Sequence, residues 1–227
     1  MTVEIWSDVM CPFCYLGKRN FEAAVEQFTG KDQVKTEWKS FQLNPALGTE
    51  GMSTLAYLSE MRGMQEAQVR ASFEGIRSAG EEKGIAFNFD RAVIVNTAAA
   101  HRLIQLAKEN GKGDEAEELL FKAHFTEGKN VSDPEVLRQI GEELGLSAAE
   151  AESAQTNPRY GEALDRDLYE ARQIGVRGVP FFVFDGKYAV SGAQPSEVFL
   201  QTLERVMKEE RAGSPEGESC DTDGKCN

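Results

Sequence analysis

Two cysteines separated by two residues, Cys11 and Cys14, lie between a short run of strand-forming residues and a long amphipathic helical pattern. At such a junction the first sulfur lies over the unsatisfied N–H groups and the positive dipole end of the helix, which favour a thiolate. Thiols in Cys-X-X-Cys motifs can have pKa values of about 3.5–7.5, compared with about 8.5 for free cysteine. We therefore expect Cys11 to be an exposed nucleophile that forms mixed disulfides. Cys14, one turn further along, is expected to be the shielded thiol that resolves them.

The charge and hydropathy of the chain exclude several classes of partner. The 227 residues carry a formal net charge of −13, so there is no basic surplus for nucleic acids or anionic membranes. No stretch approaches the ~20 consecutive apolar residues of a membrane span, and Met1 leads into the first strand without a signal-peptide pattern. We therefore expect a cytoplasmic protein with no nucleic-acid or membrane partner. Stable disulfides are rare in that compartment, so a Cys pair there is more often catalytic, redox-sensing or metal-binding.

Strand patterns occur at both ends of the chain, each accompanied by a helix. In chain order the predicted elements are a strand at Thr2–Trp6, a helix from Cys11 to about Phe28, a half-exposed strand from Val34 that Pro45 ends, an apolar strand at Pro180–Phe184, the hairpin signal Asp185-Gly186, a returning strand at Lys187–Val190, and a last helix. Neither group is large enough to form a stable sheet alone. We therefore expect the two groups to pair in one small mixed sheet.

Almost everything between these two groups has helical periodicity. The longest helical stretch, Gln65–Lys83, is predicted to be broken at Gly75 and Gly80. Asn96 is the predicted N-cap of a further helix, because its side chain can accept from the free N–H groups of a first turn. The sequence therefore predicts a contiguous helical block inserted between the two parts of the sheet.

Several motifs accompany the dithiol, and together they carry a resemblance. These motifs are Asp8–Lys18 (DVMCPFCYLGK), Phe41–Pro45 (FQLNP), Asn96-Thr97 followed by His101-Arg102-Leu103, and Gly175–Phe181 (GVRGVPF). From Thr2 to about Met207 the chain resembles the DsbA-like branch of thioredoxin-fold oxidoreductases, and within it the cytosolic FrnE-type proteins.

The resemblance implies an α/β thioredoxin fold, a mixed central sheet with flanking helices, that carries a large all-helical insertion. Residues 1–45 and 174–209 would form the thioredoxin-like domain, and residues 46–173 the helical insertion subdomain. Residues 210–227 are rich in Gly and Glu and have no apolar periodicity, so they are predicted to be a flexible acidic tail.

The resemblance also assigns roles around the late apolar strand. It implies that the peptide bond before Pro180 is cis and that this proline packs against the dithiol. Val179 would then offer its backbone groups to a substrate chain at the sulfur. Phe13, between the two cysteines, is interpreted as an apolar contact for client polypeptides.

Charged residues near the dithiol leave alternatives open. Asp8 could oppose thiolate formation or shuttle a proton, or it could be a solvated loop carboxylate. Lys18 and Arg19 are interpreted as surface charges on the helix. Nothing in the sequence places His101 or His124 near Cys11, as a Cys–His hydrolase would need, so structural or surface roles are expected for both.

A second cysteine pair, Cys220 and Cys226, lies in the predicted tail. FrnE-type proteins also tend to carry a C-terminal pair, so these thiols could form an auxiliary redox pair that exchanges with Cys11 and Cys14. Alternatively they are two loose thiols that oxidise to a small ring. A structural zinc site would need both pairs as ligands, and the wide spacing in a flexible tail disfavours it, so no metal is expected.

The sequence therefore predicts a thiol–disulfide oxidoreductase that acts as a disulfide reductase or isomerase on protein substrates. No bound cofactor is expected, and glutathione or a thioredoxin-like protein would restore the dithiol. By resemblance, oxidative-stress tolerance is a plausible setting.

Two alternatives belong to other classes. Kappa-class glutathione transferases and 2-hydroxychromene-2-carboxylate isomerases share the fold and its insertion, but typically have Ser where this chain has Cys11. The other alternative is a redox-switched holdase chaperone whose helical insertion binds unfolded clients.

Overall fold

Strands from both ends of the chain form one four-stranded sheet in the computed structural model, which describes residues 1–213. The strand β1 (Thr2–Ser7) pairs in parallel with β2 (Lys35–Ser40) and antiparallel with β5 (Phe181–Phe184). A hairpin joins β5 to β6 (Tyr188–Ser191), so the strand order is β2-β1-β5-β6. The prediction that the separated strands pair across the insertion is confirmed.

Helices cover the sheet and fill the long connection between β2 and β5. The helices of the described chain are α1 (Pro12–Gln27), α2 (Thr54–Ala56), α3 (Glu66–Glu81), α4 (Ala98–Glu109), α5 (Gly113–Phe121), α6 (Pro134–Glu143), α7 (Ala148–Thr156), α8 (Pro158–Gln173) and α9 (Ser196–Gly213). Among them, none combines the length and the hydropathy needed to cross a bilayer.

Several short segments complete the described fold, the first of them a 3₁₀ turn at Lys31–Gln33 before β2. Two π-helical turns, Tyr57–Met61 and Lys122–Thr126, continue α2 and α5 respectively. Inside the helical connection, β3 (Met52–Ser53) pairs antiparallel with β4 (Val93–Ile94). The insertion is thus helical apart from one two-residue ladder.

Alternation along the central strands decides how the sheet is covered. Successive strand residues point to opposite faces, so Ile5, Phe182 and Phe184 share one face and are completely buried. On this face α1 and α9 contribute Phe21 and Phe199 to the same core, and the ring centroids of Phe182 and Phe199 are 4.5 Å apart. Aromatic burial of this kind anchors α1, and with it both cysteines, against the sheet.

A second, aromatic core lies under the dithiol and is built mainly from the insertion. Phe73 and Phe89 stack with ring centroids 4.4 Å apart, and Phe125 packs edge-on against Phe89. From α1, Tyr15 stacks on Phe121 with ring centroids 4.8 Å apart. These contacts join the insertion to the helix that carries the cysteines.

The predicted break in α3 is wrong, because the helix runs without interruption from Glu66 to Glu81. Gly75 has open space around it, so its cost is the ~1 kcal/mol of an interior glycine, which the helix tolerates. Gly80 is required by packing, since a Cβ there would overlap the Phe87 ring. The glycine therefore permits close approach of the aromatic core and does not end the helix.

The start of α4 differs by one position from the prediction. Asn96 does act as a cap, because its Oδ1 accepts from the Ala98 N–H at 2.9 Å. The residue that flanks the helix is Thr97, whose own side chain makes no capping hydrogen bond. Asn96 also donates to the Pro45 carbonyl at 2.9 Å, which ties α4 to the loop after β2. The prediction that this strand continues to Pro45 is wrong, because β2 ends at Ser40.

Candidate active site

The two cysteines lie at the first turn of α1, as predicted. Cys11 is the N-cap with an extended backbone, and Pro12 takes the first helical position, where its missing N–H is not needed. The Cys11 N–H donates to the Asp8 carbonyl at 2.9 Å, and the Cys14 N–H donates to the Cys11 carbonyl at 3.0 Å. This turn holds both thiols, which are reduced, on the same side of the helix start.

Cys11 is buried, so the expectation of an exposed nucleophile is wrong. Only 4% of its surface is accessible, because the segment before β5 and the walls of an adjoining cavity cover it. Its thiol donates to the Val179 carbonyl, with Sγ 3.5 Å from the oxygen. The sulfur is therefore reached through the cavity and not from the open surface.

Pro180 packs beside the dithiol, and the Val179–Pro180 peptide bond is cis, as the resemblance implies. The approach is close, since a Cβ at Gly17 of α1 would lie 2.8 Å from Pro180 Cγ. The proline therefore rests on α1 one turn beyond the cysteines. Val179 is brought to Cys11 by this packing.

Cys14 is almost completely buried, and its environment keeps it protonated. Burial raises the pKa of the Cys14 thiol well above its ordinary value, and the neighbouring Cys11 raises it further. The Ser7 hydroxyl and the Asp8 backbone N–H act in the opposite direction without cancelling the shift. Such a thiol needs a proton acceptor before it can act as a nucleophile.

Asp8 is completely buried, so the interpretation as a solvated loop carboxylate is wrong. The Leu43 N–H donates to its Oδ2 at 2.7 Å, and His101 Nε2 lies 3.5 Å from its Oδ1. Since His101 belongs to α4, this pair ties the loop before the dithiol to the insertion. The sequence does not reveal this burial, because the partners of Asp8 are 35 and 93 positions away in the chain.

Glu117 of α5 completes a buried polar cluster that we define as Ser7, Asp8, His101 and Glu117. The Ser7 hydroxyl donates to Glu117 Oε2 at 3.4 Å. Burial raises the pKa of Glu117 to about 7, although His101 and Lys18 oppose the shift. Burial lowers the pKa of His101, but the carboxylates of Asp8, Glu117 and Asp167 outweigh it and leave that pKa raised.

Sequence reasoning missed Glu117, which stands in the acidic run Asp114-Glu115-Ala116-Glu117-Glu118. Helical spacing could have found it, because Leu120, Phe121 and His124 follow at three, four and seven positions and form one buried face. A carboxyl group on an otherwise apolar helix face is the available signal.

His124 is buried, so a surface role is excluded, and it lines the same cavity as Cys11. Burial lowers the pKa of its imidazole to about 4, and Asp8 opposes this only in part. The ring is therefore neutral at physiological pH. Its Nδ1 is buried and has no hydrogen-bond partner within residues 1–213.

Lys18 is buried, so its interpretation as a surface charge is wrong; only 2% of the residue is accessible. Its ammonium lies 3.1 Å from Asp114 and 3.3 Å from Glu118, both on α5. Arg19 is partly buried and also pairs with Glu118. The docking of α5 on α1 covers these charges, and no pattern within α1 alone could reveal that.

A cavity of about 470 Å³ opens beside Cys11. Its wall is mainly apolar and aromatic, and at its rim Phe13 is 48% exposed, in agreement with its predicted accessibility. The insertion supplies most of the lining, which includes Tyr57, Leu58, Phe73, Phe89, His124 and Phe125. From the other side come Cys11 and Val179, so the cavity leads directly to the Cys11 sulfur.

The remaining predicted thiols, Cys220 and Cys226, lie outside the described residues. Within residues 1–213 no group of three or more His, Cys, Asp or Glu side chains is arranged to hold a metal ion. The cysteine pair at α1 is accompanied by the buried titratable side chains of Asp8, His101, Glu117 and His124.

Comparisons with known proteins agree with this architecture. A family model described as a DSBA-like thioredoxin domain matches residues 2–204. A probable DsbA oxidoreductase from Streptomyces coelicolor has a solved structure that is 35% identical, with a TM-score of 0.89 and coverage of 100% of this chain and 98% of its own.

Two more distant proteins are similar over most of their length. The uncharacterized protein YwbO of Bacillus subtilis is 29% identical over 208 residues, which are 91% of this chain and 97% of that protein. The cytosolic disulfide reductase DsbM of Pseudomonas aeruginosa shares the fold, with 20% identity, a TM-score of 0.64 and coverage of 92% of this chain and 100% of its own. With the family model spanning nearly all of the described residues, the chain belongs to the DsbA-like thioredoxin domain family.

Proposed function

We propose that the protein is a thiol–disulfide oxidoreductase that reduces or rearranges disulfides in client polypeptides. One observation carries the proposal: a reduced Cys11–Cys14 pair at a helix start, with the Cys11 sulfur 3.5 Å from the carbonyl that precedes Pro180. The names of the similar Streptomyces and Pseudomonas proteins support the same class. Val179 offers its backbone to an extended client segment at the point where the sulfur reacts.

The chemistry proceeds in two exchanges. The Cys11 thiolate attacks one sulfur of the client disulfide, a mixed disulfide forms, and the other client sulfur leaves as a thiolate that takes up a proton. Cys14 then loses its proton and attacks Cys11 Sγ, which releases the second client thiol and leaves a Cys11–Cys14 disulfide. Two electrons pass from the enzyme to the client. Glutathione or a thioredoxin-like protein then supplies two electrons to the Cys11–Cys14 disulfide and restores the dithiol. In isomerisation a client thiol attacks the mixed disulfide in place of Cys14.

The second exchange needs a proton acceptor for Cys14, and we assign that role to Glu117. The Ser7 hydroxyl interacts with the Cys14 thiol and donates its one hydrogen to Glu117 Oε2, so its oxygen can take up the Cys14 proton and connect the two groups. A pKa of about 7 suits proton transfer near neutral pH. Replacement Glu117→Gln should prolong the mixed disulfide without slowing the first exchange, and an unchanged lifetime would remove Glu117 from this role.

Reduction of insulin disulfides tests the proposed function. Cys11→Ser should lower the rate to the uncatalysed level, because no thiolate remains at the end of the cavity. Cys14→Ser should let the first exchange proceed and accumulate a mixed disulfide at Cys11, detectable by mass spectrometry. Ser153→Ala, on the exposed surface of α7, is the matched control and should keep the wild-type rate. Full activity of the Cys11→Ser variant would refute the proposal.

A glutathione-dependent isomerase or transferase is the second candidate, and the cavity beside Cys11 is the observation that favours it. Its volume of about 470 Å³ lies within the range of small-molecule sites. Such chemistry does not need a resolving thiol. Cys14→Ser would therefore keep the isomerase activity with glutathione, whereas it would abolish the reductase proposed here.

We further propose that Cys220 and Cys226 exchange with the Cys11–Cys14 pair. The support is the resemblance to FrnE-type proteins and the presence of a second thiol pair in the same chain. Replacement of both by Ser should slow turnover and change the lifetime of the mixed disulfide. If both quantities match the wild type, the auxiliary pair has no part in the reaction.

We place the reaction in the cytoplasm, where reducing thiols would hold Cys11 and Cys14 as a dithiol. The similar DsbM of Pseudomonas aeruginosa, a cytosolic disulfide reductase, supports this placement. A role in oxidative-stress tolerance follows from the resemblance to FrnE-type proteins and predicts that deletion sensitises cells to thiol oxidants.

A further inference from the structure

The cavity beside Cys11 lies between two π-helical turns, and both contribute to its wall. Tyr57 and Leu58 come from the turn after α2, and His124 and Phe125 come from the turn after α5. Single π turns within helices occur frequently at functional sites, because they displace side chains from the regular helical register. Two such turns facing one cavity indicate that its shape is built for an occupant.

The wall is suited to a flat apolar group. Phe73, Phe89 and Phe125 provide aromatic faces and edges, which favour stacked or edge-on rings. Among the lining residues within positions 1–213, Arg62 is the one side chain with a permanent charge, and none is a carboxylate. In a chain with a net charge of −13 this is a mainly apolar site whose one permanent charge is positive.

His124 adds an imidazole to the polar side chains of this mainly apolar wall, which also include Thr54, Tyr57 and Ser72. Its neutral imidazole has one nitrogen that can accept a hydrogen bond and one that can donate. The buried Nδ1 is unpartnered in the described part of the chain. Since an unsatisfied buried polar atom costs about 1–3 kcal/mol, an occupant that brings a hydrogen-bonding atom to this ring gains affinity over a purely apolar one.

The rim indicates that the occupant belongs to a longer chain. Phe13, Leu43 and Met64 line the cavity and are 48%, 42% and 38% exposed, so the apolar surface continues outward from the mouth. Exposed apolar patches of this kind mark interaction sites, and methionine adapts to varied partners. A small molecule enclosed by the cavity would leave this rim uncovered, whereas a polypeptide that enters with one side chain covers it.

We propose that the cavity binds an aromatic side chain with a hydrogen-bonding atom, tyrosine or tryptophan, next to the reacting cysteine of a client polypeptide. The Tyr hydroxyl or Trp indole N–H would pair with His124 while the ring packs on the aromatic wall. Because Cys11 lines the same cavity, a client sulfur at Cys11 places its neighbouring side chain at the mouth. This inference rests on the proposed function and specifies which clients it prefers.

The test uses three peptides that differ only in the residue after cysteine, which is Tyr, Phe or Ala, each as a mixed disulfide with glutathione. The rate of first exchange with the reduced full-length protein is measured and divided by the rate with dithiothreitol, which removes intrinsic reactivity. We expect the Tyr peptide to react more than about tenfold faster than the Ala peptide, and Phe to fall between them. Equal rates for the three peptides would overturn the inference.

Two variants locate the preference in the cavity. In the His124→Phe variant, the Tyr peptide should no longer react faster than the Phe peptide, but the Phe peptide should still react faster than the Ala peptide. Ile76→Trp fills the cavity and should reduce both rate differences. Tyr169→Ala is the matched control, since Tyr169 is an exposed aromatic residue of α8 outside the lining, and it should keep wild-type ratios. A preference that survives both cavity variants would refute the site.

Bis(2-hydroxyethyl) disulfide has no side chain for the cavity to bind. It therefore separates a failure of the proposed exchange activity from a failure of the inference about the cavity. If the wild-type protein does not exchange with it or with any peptide, the proposed function fails. If it exchanges with this disulfide but treats the three peptides alike, only the inference about the cavity fails.

Discussion

Glu117 is a carboxyl group enclosed by other ionisable groups, with His101 and Lys18 favouring its charged form and Asp114 and Asp8 opposing it. Burial dominates this balance, so the neutral acid persists to about neutral pH. Near pH 7 the group is therefore about half ionised, and its carboxylate form can accept the proton that the Cys14 thiol must lose. Its energetic consequence can be measured separately from catalysis.

Replacement of Glu117 by Gln should change how stability depends on pH. The ordinary pKa of this carboxyl is 4.5 and its folded value is about 7, so between these values the folded protein holds a proton that the unfolded chain has lost. The contribution of Glu117 to the free energy of unfolding is therefore fully present below pH 4.5. It is lost as the pH rises from 4.5 through about 7. The loss amounts to about 3 kcal/mol. We therefore expect the free energy of unfolding of Glu117→Gln, relative to that of the wild type, to rise by about 3 kcal/mol between pH 4 and pH 8.

Urea unfolding at intervals across this pH range measures the difference. The comparison of variant with wild type cancels the titration of all groups that do not contact Glu117. A difference that stays constant with pH would mean that the folded pKa of Glu117 is ordinary and that the buried acid is ionised at neutral pH.

At the scale of single elements, α3 offers two glycines with opposite surroundings. Gly75 faces open space, whereas a Cβ at Gly80 would overlap the Phe87 ring in the aromatic core. We expect Gly75→Ala to stabilise the protein by about 0.5–1 kcal/mol, because alanine has the higher helix propensity. Gly80→Ala should destabilise it by about 1–3 kcal/mol through overpacking.

Each glycine variant is the control for the other, because the substitution and the helix are the same. Chemical denaturation of both proteins at one pH gives the two changes in unfolding free energy. Equal changes of the same sign would mean that α3 does not pack on Phe87 as closely as described.

Local signals predicted those elements whose determinants are close in sequence. Asp185 and Gly186 both adopt positive φ in the β5–β6 hairpin, as the Asp-Gly signal requires. The Ser147 capping box and the Pro-initiated α1 are likewise local. The sequence did not predict that α3 is continuous, because Gly80 is required by contact with Phe87. Phe87 lies seven positions later in the chain and outside the helix.

The cysteines of the candidate site could be predicted, but not the environment that buries them. Asp8, Lys18 and His101 are charged or titratable residues whose burial depends on partners in distant elements. A sequence pattern cannot show that α5 will cover Lys18, or that α4 will bring His101 to Asp8. Cavities between elements are invisible for the same reason, since their walls come from segments far apart in the chain.

At the scale of the whole molecule, apolar contacts and ion pairs hold the helical insertion on the sheet-forming part. The aromatic core under the dithiol contributes apolar contacts, and Lys18 of α1 contributes ion pairs to Asp114 and Glu118 of α5. This lysine is buried while its partners remain partly exposed, so the pairs are stronger than surface pairs and weaker than fully enclosed ones. Because the cavity beside Cys11 lies between the two parts, their docking determines its shape.

Lys18→Met keeps the length of the side chain and removes its charge, so Asp114 and Glu118 lose a buried cation. We expect a loss of about 1–3 kcal/mol in unfolding free energy at low salt. In 1 M NaCl the loss should shrink, since screening weakens the pairs of the wild type. The matched control is Lys31→Met, whose pair with Glu26 is exposed on both sides; it should change stability by less than about 0.5 kcal/mol. Urea unfolding at both salt concentrations supplies the four values, and equal losses in the two variants would mean that Lys18 does not hold the insertion on α1.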